Sequence, residues 1–207
     1  AASSADKKEE KKASKWYDKI SFGGYIQVRY NEFLETNPEL DCEQCDPYWG
    51  KGADGISFRR VRFKFEGQIL PRVYFYLQPD FTKVVGSSRY IATLQDAYFD
   101  VGLNSKNEYK IRLGQSKLPF GYEIMQSSSE RIPLDRSDAI NSSVKGERDF
   151  GMYFMWTGQK RKDIMNEIKD KGLKHSGDFG VFAFGFYNGQ AANNTDKNKK
   201  FHWLTRI

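Results

Sequence analysis

The chain has 207 residues, a formal net charge of +6 and a sequence pI of about 9.1. Aromatic residues make up 15% of it although its mean hydropathy is -0.72, a combination that excludes a disordered polar chain. No stretch approaches 18 consecutive apolar residues, so the sequence offers no candidate for a membrane-spanning helix. The excess of positive charge favours anionic partners. No nucleic-acid-binding motif accompanies it, and we expect no nucleic-acid partner.

A dense run of charged residues at positions 6–15 opens the chain. Such a run is typical of a solvated terminus, and a partner-binding arm is the alternative. We therefore predict a charged, flexible N-terminal segment over residues 1–21 and one ordered domain over residues 22–207. The first strand candidate of that domain is 22–31, with Ile26, Val28 and Tyr30 on one face and Tyr25, Gln27, Arg29 and Asn31 on the other.

Residues 58–69 alternate charged and apolar side chains one by one. Because successive side chains of a strand point to opposite faces, one face is cationic and the other is apolar. The cationic face carries Arg60, Arg62, Lys64, Glu66 and Gln68, and the apolar face carries Val61, Phe63, Phe65 and Ile69. A Lys or Arg facing lipid at mid-bilayer costs roughly 2 to 4 kcal/mol, so a one-residue slip of such a strand costs about 6 to 12 kcal/mol. The pattern fits a wall between lipid and water.

Further segments of the chain repeat this alternation. We predict strands at 22–31, 58–69, 73–81, 94–101, 108–116, 150–156 and 178–188, and the opening of an eighth strand at 201–207. Pro79 on the apolar face of the third strand is tolerable near a bulge or a strand end, and we predict a connection at 82–93. The second face of 178–188 is left undecided by its small residues. The whole pattern predicts an all-β, transmembrane antiparallel barrel of which this chain holds seven to eight strands.

Two connections stand out by length and charge. Residues 117–148 form a polar run of about 30 residues, which in a compact domain indicates a functional loop. In residues 159–174, Ile164, Met165 and Ile168 have helical spacing, but we favour an elongated solvated turn over a partner-docking amphipathic helix. An eight-stranded barrel is filled by side chains and leaves no room for the long loop. We therefore expect this chain to form about the first half of a wider barrel.

Three motifs carry a family resemblance: Phe-Arg-Arg-Val-Arg-Phe-Lys-Phe-Glu-Gly at 58–67, Leu-Gln-Asp-Ala-Tyr-Phe at 94–99 and Arg-Leu-Gly-Gln-Ser-Lys-Leu-Pro-Phe-Gly at 112–121. Their order and spacing resemble the phosphate-selective porin O and P family of bacterial outer membranes. Residues 134–137, 146–148 and 186–190 also resemble that family. The resemblance covers nearly all of the chain from Phe22 onward.

The resemblance implies a homotrimeric barrel of about sixteen strands, surrounded by outer-membrane lipid, whose third external loop folds into the lumen. Residues 117–148 take the position of this constriction loop, with the cations Lys117, Arg131, Arg136 and Arg148. The motif match also places Arg59 and Arg60 near the mouth of the lumen, although alternation alone aims only one of them inward. No cofactor is implied.

The basic residues on the polar strand faces are our candidates for lining the lumen: Arg29, Arg59, Arg60, Arg62, Lys64, Lys110 and Arg112. Arginine suits anion passage because its guanidinium stays charged and binds phosphate or carboxylate oxygens bidentately. Alternatively, some of these cations pair with Glu66, Asp80, Asp96 or Asp100 and only hold the wall together. The long loop also carries acids, so small anionic or mixed solutes are expected rather than phosphate alone.

Cys42 and Cys45 are the only cysteines, in a polar connection between the first two strands. For an external loop in an oxidising compartment, a local disulfide is favoured over free thiols. A metal site is the third alternative, but the two histidines lie far along the sequence, at His175 and His202. We expect the disulfide and no metal.

We expect the protein to be an outer-membrane porin that lets small hydrophilic, preferentially anionic solutes diffuse through a basic lumen. The alternative is an outer-membrane scaffold, with a plugged or non-selective pore, that docks an outer-membrane or periplasmic protein. A soluble β-sandwich lectin is a third class. The sequence lacks a nucleophile motif, a phosphate-binding glycine loop and metal-spaced histidines, and an enzyme is not expected.

Overall fold

The computed structural model describes residues 16–32, 55–85, 88–133, 136–143, 146–173 and 175–207. Eight antiparallel strands form one sheet in sequence order. They are β1 (Ile20–Asn31), β2 (Gly55–Leu70), β3 (Val73–Val85), β4 (Ser88–Gly102), β5 (Tyr109–Lys117), β6 (Arg148–Trp156), β7 (Phe182–Tyr187) and β8 (His202–Arg206). Within the described residues the sheet is open, with β1 and β8 at its edges. The predicted all-β antiparallel class is confirmed.

The helices lie in the connections. A 3₁₀ turn, Trp16–Lys19, precedes β1. The loop between β5 and β6 contains α1 (Tyr122–Met125) and α2 (Asp138–Ser143), and the connection between β6 and β7 contains α3 (Gln159–Asp170). None of the helices in the described ranges has the length and apolar character needed to cross a membrane.

Two sequence predictions were wrong in the connections. Residues 82–85 and 88–93 are strand rather than connection, because β3 continues to Val85 and β4 begins at Ser88. The pairing of β3 with β4 shifts register between Gln78 and Pro79, so a bulge accommodates the proline and the ladder continues beyond it. The favoured solvated turn at 159–174 is instead the helix α3.

The N-terminal boundary also differs from the prediction. β1 begins at Ile20, inside the segment predicted to be flexible, and residues 1–15 lie outside the described residues. Cys42 and Cys45 fall in the stretch 33–54, which is likewise outside them, so their disulfide stays a prediction.

The two faces of the sheet differ in the way that alternation predicts. One face is aromatic and open: Val28, Leu77 and Phe99 expose 58%, 39% and 50% of their surface. Its rings contact one another across strands, as in the Phe22–Phe65 pair with centroids 5.0 Å apart. On the other face the charged side chains Arg60, Arg62, Asp80, Asp96, Asp100, Lys110 and Arg112 are buried. An exposed apolar face and a buried charged face are the reverse of a water-soluble protein, in which apolar residues are buried and charged residues are exposed.

The charged face becomes apolar toward β8. Tyr153 and Met155 of β6, Ala183 of β7 and Leu204 of β8 form one buried cluster with Leu118. The face of β7 that the sequence left undecided therefore lies on the same side of the sheet as the charged residues. Its small residues leave room for Tyr153, because a Cβ at Gly185 would lie 2.6 Å from that ring.

Alternation ends at Gly114 in β5, whose φ is +128°. An added Cβ there would lie 2.3 Å from the carbonyl oxygen of Ala97, so a side chain does not fit. Beyond it, the consecutive residues Gln115 and Ser116 are both buried and Lys117 lines the inner cavity.

Candidate functional site

A cavity of about 910 Å³ lies on the charged face of the sheet. The strands supply one side of it with charged residues and tyrosines, among them Arg62, Tyr76, Tyr98 and Arg112. The β5–β6 loop supplies Met125 and Ser127 to Glu130, and the β6–β7 connection supplies Met165, Lys169 and Phe179. Three parts of the chain that are distant in sequence thus meet around one polar space.

The charged face of the sheet forms one wall of the cavity, and we call it the wall. Cross-strand ion pairs hold its arginines in place. Arg62 lies opposite Asp80 in the ladder, with Nε 2.5 Å from Oδ2. Arg112 lies opposite Asp100 and binds both of its carboxylate oxygens, at 2.7 and 2.8 Å. Directly opposed residues of opposite charge stabilise a sheet. For these two arginines the wall-holding alternative describes the geometry, because their charges are compensated.

The predicted lumen lysines are also paired. Lys110 Nζ lies 3.4 Å from Asp100 and 2.8 Å from Asp178. Lys64 Nζ lies 2.7 Å from its strand neighbour Glu66 and is more exposed. Both residues line the cavity.

Aromatic rings extend the Arg112 pair into a stack. The guanidinium lies 3.9 Å from the centroid of the Tyr98 ring and 5.2 Å from that of Phe179. Tyr98 in turn stacks on Tyr76, with centroids 5.2 Å apart. The stack links β3, β4 and β5 to the β6–β7 connection and holds Arg112 in place.

Arg29, Arg59 and Arg60 lie toward the other end of the sheet. Arg29 and Arg60 are buried, and Arg60 donates to the side-chain oxygen of Gln27. Gln27 pairs with Arg60 and Val28 with Phe58, so Arg59 is the extra residue of a bulge. A bulge brings neighbouring side chains out of strict alternation, which explains how Arg59 is half-buried beside Arg60. These three arginines do not line the described cavity.

The β5–β6 loop is tied to the inner face by cations. Lys117 Nζ donates to the carbonyl oxygens of Met125 and Gln126, at 3.3 and 2.6 Å. Arg136 Nε donates to the carbonyl of Glu123 at 2.7 Å. The carbonyls at the end of α1 have no partner within the helix, so these cations satisfy them. The wall reaches the loop as well, because Arg62 Nη1 donates to Ser128 Oγ at 3.0 Å.

Cations crowd together where this loop meets the wall. Arg136 forms an ion pair with Glu147, and Arg148 binds Glu147 at 3.1 Å and Asp96 at 3.0 Å. Burial, reinforced by nearby Arg131 and Arg148, lowers the pKa of Arg136 to about 9, which leaves it charged at neutral pH. Among the described residues, Lys117 contacts carbonyl oxygens but no carboxylate. We name Arg62, Lys117, Arg131, Arg136 and Arg148 the loop cluster.

Sequence reasoning missed the residues of the β6–β7 connection. Asp178 accepts from Thr157 Oγ1 at 2.7 Å and from Lys110 Nζ at 2.8 Å, which anchors the connection to the wall. Burial raises the pKa of Asp178. Lys110 and the hydrogen-bond donors Thr157 and Gly180 lower it by more than burial raises it, so the pKa falls to about 2. The pattern offered no signal for this contact, because Lys110 and Asp178 lie 68 residues apart.

The variant Asp178→Asn is expected to lose about 2 kcal/mol of stability at pH 7, since a pKa fall from 3.8 to about 2 corresponds to roughly that free energy. A depressed carboxyl pKa stabilises above the unfolded pKa, so the difference from the native chain should shrink as the pH falls from about 4 to 2. Urea unfolding in lipid vesicles at several pH values measures it. Asp170→Asn, at the exposed end of α3, is the control. A difference that is independent of pH would contradict the assignment.

Comparison with known proteins gives one match. The sequence profile described as phosphate-selective porin O and P matches residues 33–203 of the 207. No curated protein and no solved structure matches the chain. The matched region runs from before β2 into β8 and includes the charged wall, the loop cluster and α3. The family is a class of outer-membrane channels and not a class of enzymes. This chain belongs to the phosphate-selective porin O and P family.

Proposed function

We propose that this protein is an outer-membrane porin through which small hydrophilic solutes diffuse, anions preferentially and phosphate among them. The observation that carries the anion preference is the loop cluster, of which Arg62, Lys117 and Arg148 line the cavity beside the β5–β6 loop. A pore selects ions by electrostatics and width, and a narrow polar passage with excess positive charge lowers the energy of an anion.

The balance of charge in the loop cluster supports this proposal. Arg62 and Arg148 are neutralised by carboxylates at 2.5 and 3.0 Å. Lys117 binds carbonyl oxygens, at 3.3 and 2.6 Å, and has no carboxylate partner among the described residues. One such cation gives weak attraction, and an anion can then leave as well as bind.

The pairing of the wall arginines supports a broad preference over tight selection of phosphate. A guanidinium binds phosphate strongly when both of its parallel donors are available. In Arg112 Nε and Nη2 are both occupied by Asp100, at 2.7 and 2.8 Å. We therefore propose that carboxylates and inorganic anions pass as well.

The aromatic face supports residence in lipid. Its side chains are more exposed than the charged ones opposite, and a membrane would cover them. Unpaired strand edges are not stable in lipid, so β1 and β8 need partner strands. From the family we infer a barrel of about sixteen strands, assembled as a homotrimer, with residues 117–148 as its constriction loop.

The test is the current through the full-length protein in planar lipid bilayers. Single-channel steps and a reversal potential of the anion-selective sign in a KCl gradient are expected. The preference should weaken in concentrated salt because screening shortens the reach of the cations. Absence of steps together with a co-purifying protein would favour the scaffold alternative. A protein that dissolves without detergent would contradict the membrane assignment altogether.

Substituting lysine on the aromatic face tests the contact with lipid. Leu77, in β3, is 39% exposed, and Leu77→Lys is expected to cost about 2 to 4 kcal/mol in a bilayer. Leu70 is the last residue of β2, so Leu70→Lys should cost only about 0 to 1 kcal/mol near the interface. Urea unfolding from lipid vesicles measures both. Equal costs for the two variants would mean that this face does not meet hydrocarbon.

A further inference from the structure

The helix α3 begins beside the β4–β5 turn and ends within electrostatic reach of β2. At its start, the Gln159 amide donates to Glu108 beside the β4–β5 turn at 3.1 Å, and Lys162 Nζ donates to backbone carbonyls of that turn. At its end, Lys169 lines the cavity and interacts electrostatically with Glu66 of β2. Twelve residues make a helix about 18 Å long. The three strand spacings from β5 to β2 span about 14 Å, so a helix of this length can reach from the β4–β5 turn to β2.

After α3, the chain returns along the cavity to β7. The His175 amide donates to Glu130 Oε2 in the β5–β6 loop at 3.3 Å. Asp178 then binds Lys110, and Phe179 covers Arg112. The β6–β7 connection therefore touches the β5–β6 loop and the strand wall within a few residues.

The cavity lies between these two inward elements. Ser127 to Glu130 of the loop, and Met165, Asn166 and residues 175–179 of the connection, line it together with the tyrosines of the wall. Its volume of about 910 Å³ falls in the range of pockets that hold one small ligand, roughly 300 to 1,000 Å³. Consecutive connections of an antiparallel sheet lie at opposite rims, so the loop and the connection enter the space from opposite ends.

We propose that the β6–β7 connection is a second constriction, which with the β5–β6 loop encloses a chamber for one small hydrophilic anion in transit. This inference rests on the proposed porin function and deepens it. The loop cluster sets the charge preference, and the connection sets the largest solute that passes. The size limit and the charge preference therefore depend on different residues.

Two neighbouring positions of α3 provide the test. Both are exposed, but Asn166 lines the cavity, whereas Glu167 does not line it and binds Lys171 at 2.6 Å. Asn166→Cys and Glu167→Cys are made in the full-length protein with Cys42 and Cys45 replaced by serine. A bulky methanethiosulfonate reagent should lower the single-channel conductance of Asn166→Cys about twofold or more, because it narrows the pore. The conductance of Glu167→Cys should change little.

Replacing residues 160–176 by a short Gly-Ser turn supplies a second measurement, with Thr157 and Asp178 retained. Uptake of a trisaccharide by proteoliposomes should rise at least about fivefold when the constriction is gone. The reversal potential should keep its anion-selective sign. If this variant does not fold, the comparison of Asn166→Cys with Glu167→Cys alone tests the second constriction.

The outcomes separate this inference from the proposed function. Native channels without anion preference would refute the function. Anion-selective channels in which modified Asn166→Cys conducts like modified Glu167→Cys would refute the second constriction only. Unchanged trisaccharide uptake in a folded replacement variant would also refute it.

Discussion

Replacing Lys117 with glutamine is expected to lower the anion-to-cation permeability ratio about tenfold, which corresponds to 1.4 kcal/mol. A unit charge at 4 Å contributes about 1 kcal/mol in bulk water and about 4 kcal/mol near a protein surface, so this loss lies at the lower end of that range. The measurement is the reversal potential of single channels in a KCl gradient at neutral and acidic pH. Burial and the nearby Arg148 lower the pKa of Lys117, the first residue of the long loop, so the full effect is expected at the acidic end.

Lys117 is the sharpest position for this test because of its contacts. Its ammonium meets the carbonyl oxygens of Met125 and Gln126 and no carboxylate among the described residues, so its removal leaves no acid unpaired. Substituting Arg62 instead would leave Asp80, which lies 2.5 Å away, without its arginine partner. A change in current would then mix lost charge with a damaged wall.

Two control variants separate charge from loop position. Lys117→Arg keeps the charge and the donors to the α1 carbonyls, and should retain the native reversal potential. Lys64→Gln removes a cation that Glu66 already neutralises at 2.7 Å, and should change the ratio less than Lys117→Gln does. An unchanged reversal potential in Lys117→Gln would remove the central support for anion selection at the loop cluster.

The faces of the sheet were predictable because alternation is a local property of a strand. In β2 each charged residue from Arg60 to Glu66 is followed or preceded by an apolar one, and burial follows the same alternation. Strand ends were harder to predict. Pro79 indicates an end only if the ladder cannot shift, and the register change beside it shows that the ladder did shift.

The inward elements depend on contacts that no local pattern contains. Ile164, Met165 and Ile168 give α3 only a short apolar stripe, and none of its residues is fully buried. Its position is set by Glu108 and by carbonyls of the β4–β5 turn, about fifty residues away in sequence. Likewise, Arg148 of β6 reaches Asp96 across β5, a pairing beyond the nearest strand.

The bulge at Arg59 illustrates the same limit on a smaller scale. Strict alternation aims only one residue of the Arg59–Arg60 pair inward. The register shift opposite Gln27 and Val28 inserts an extra residue, and both arginines then avoid full exposure. Register is a property of two strands together, so the sequence of β2 alone could not predict it.

Removing the Asp100 carboxylate is expected to cause the largest loss of stability, about 3 to 5 kcal/mol in Asp100→Ala. Asp100 is 8% exposed and Arg112 is 4% exposed, so little water can replace the lost partner. Arg112 would keep its charge between the rings of Tyr98 and Phe179 with no carboxylate at its Nε. Urea unfolding from lipid vesicles gives the free energy.

Two further variants test whether a buried, uncompensated charge is the cause. Glu167→Gln removes an exposed helical pair, whose partners are 63% and 61% exposed, and should cost only about 0.3 to 0.5 kcal/mol. The double variant Asp100→Ala with Arg112→Met removes both charges and should recover a large part of the loss, since no buried guanidinium is left unpaired. If Asp100→Ala costs no more than Glu167→Gln, water reaches Arg112 freely. The stacked wall would then be a solvated surface and could not hold the β6–β7 connection in place.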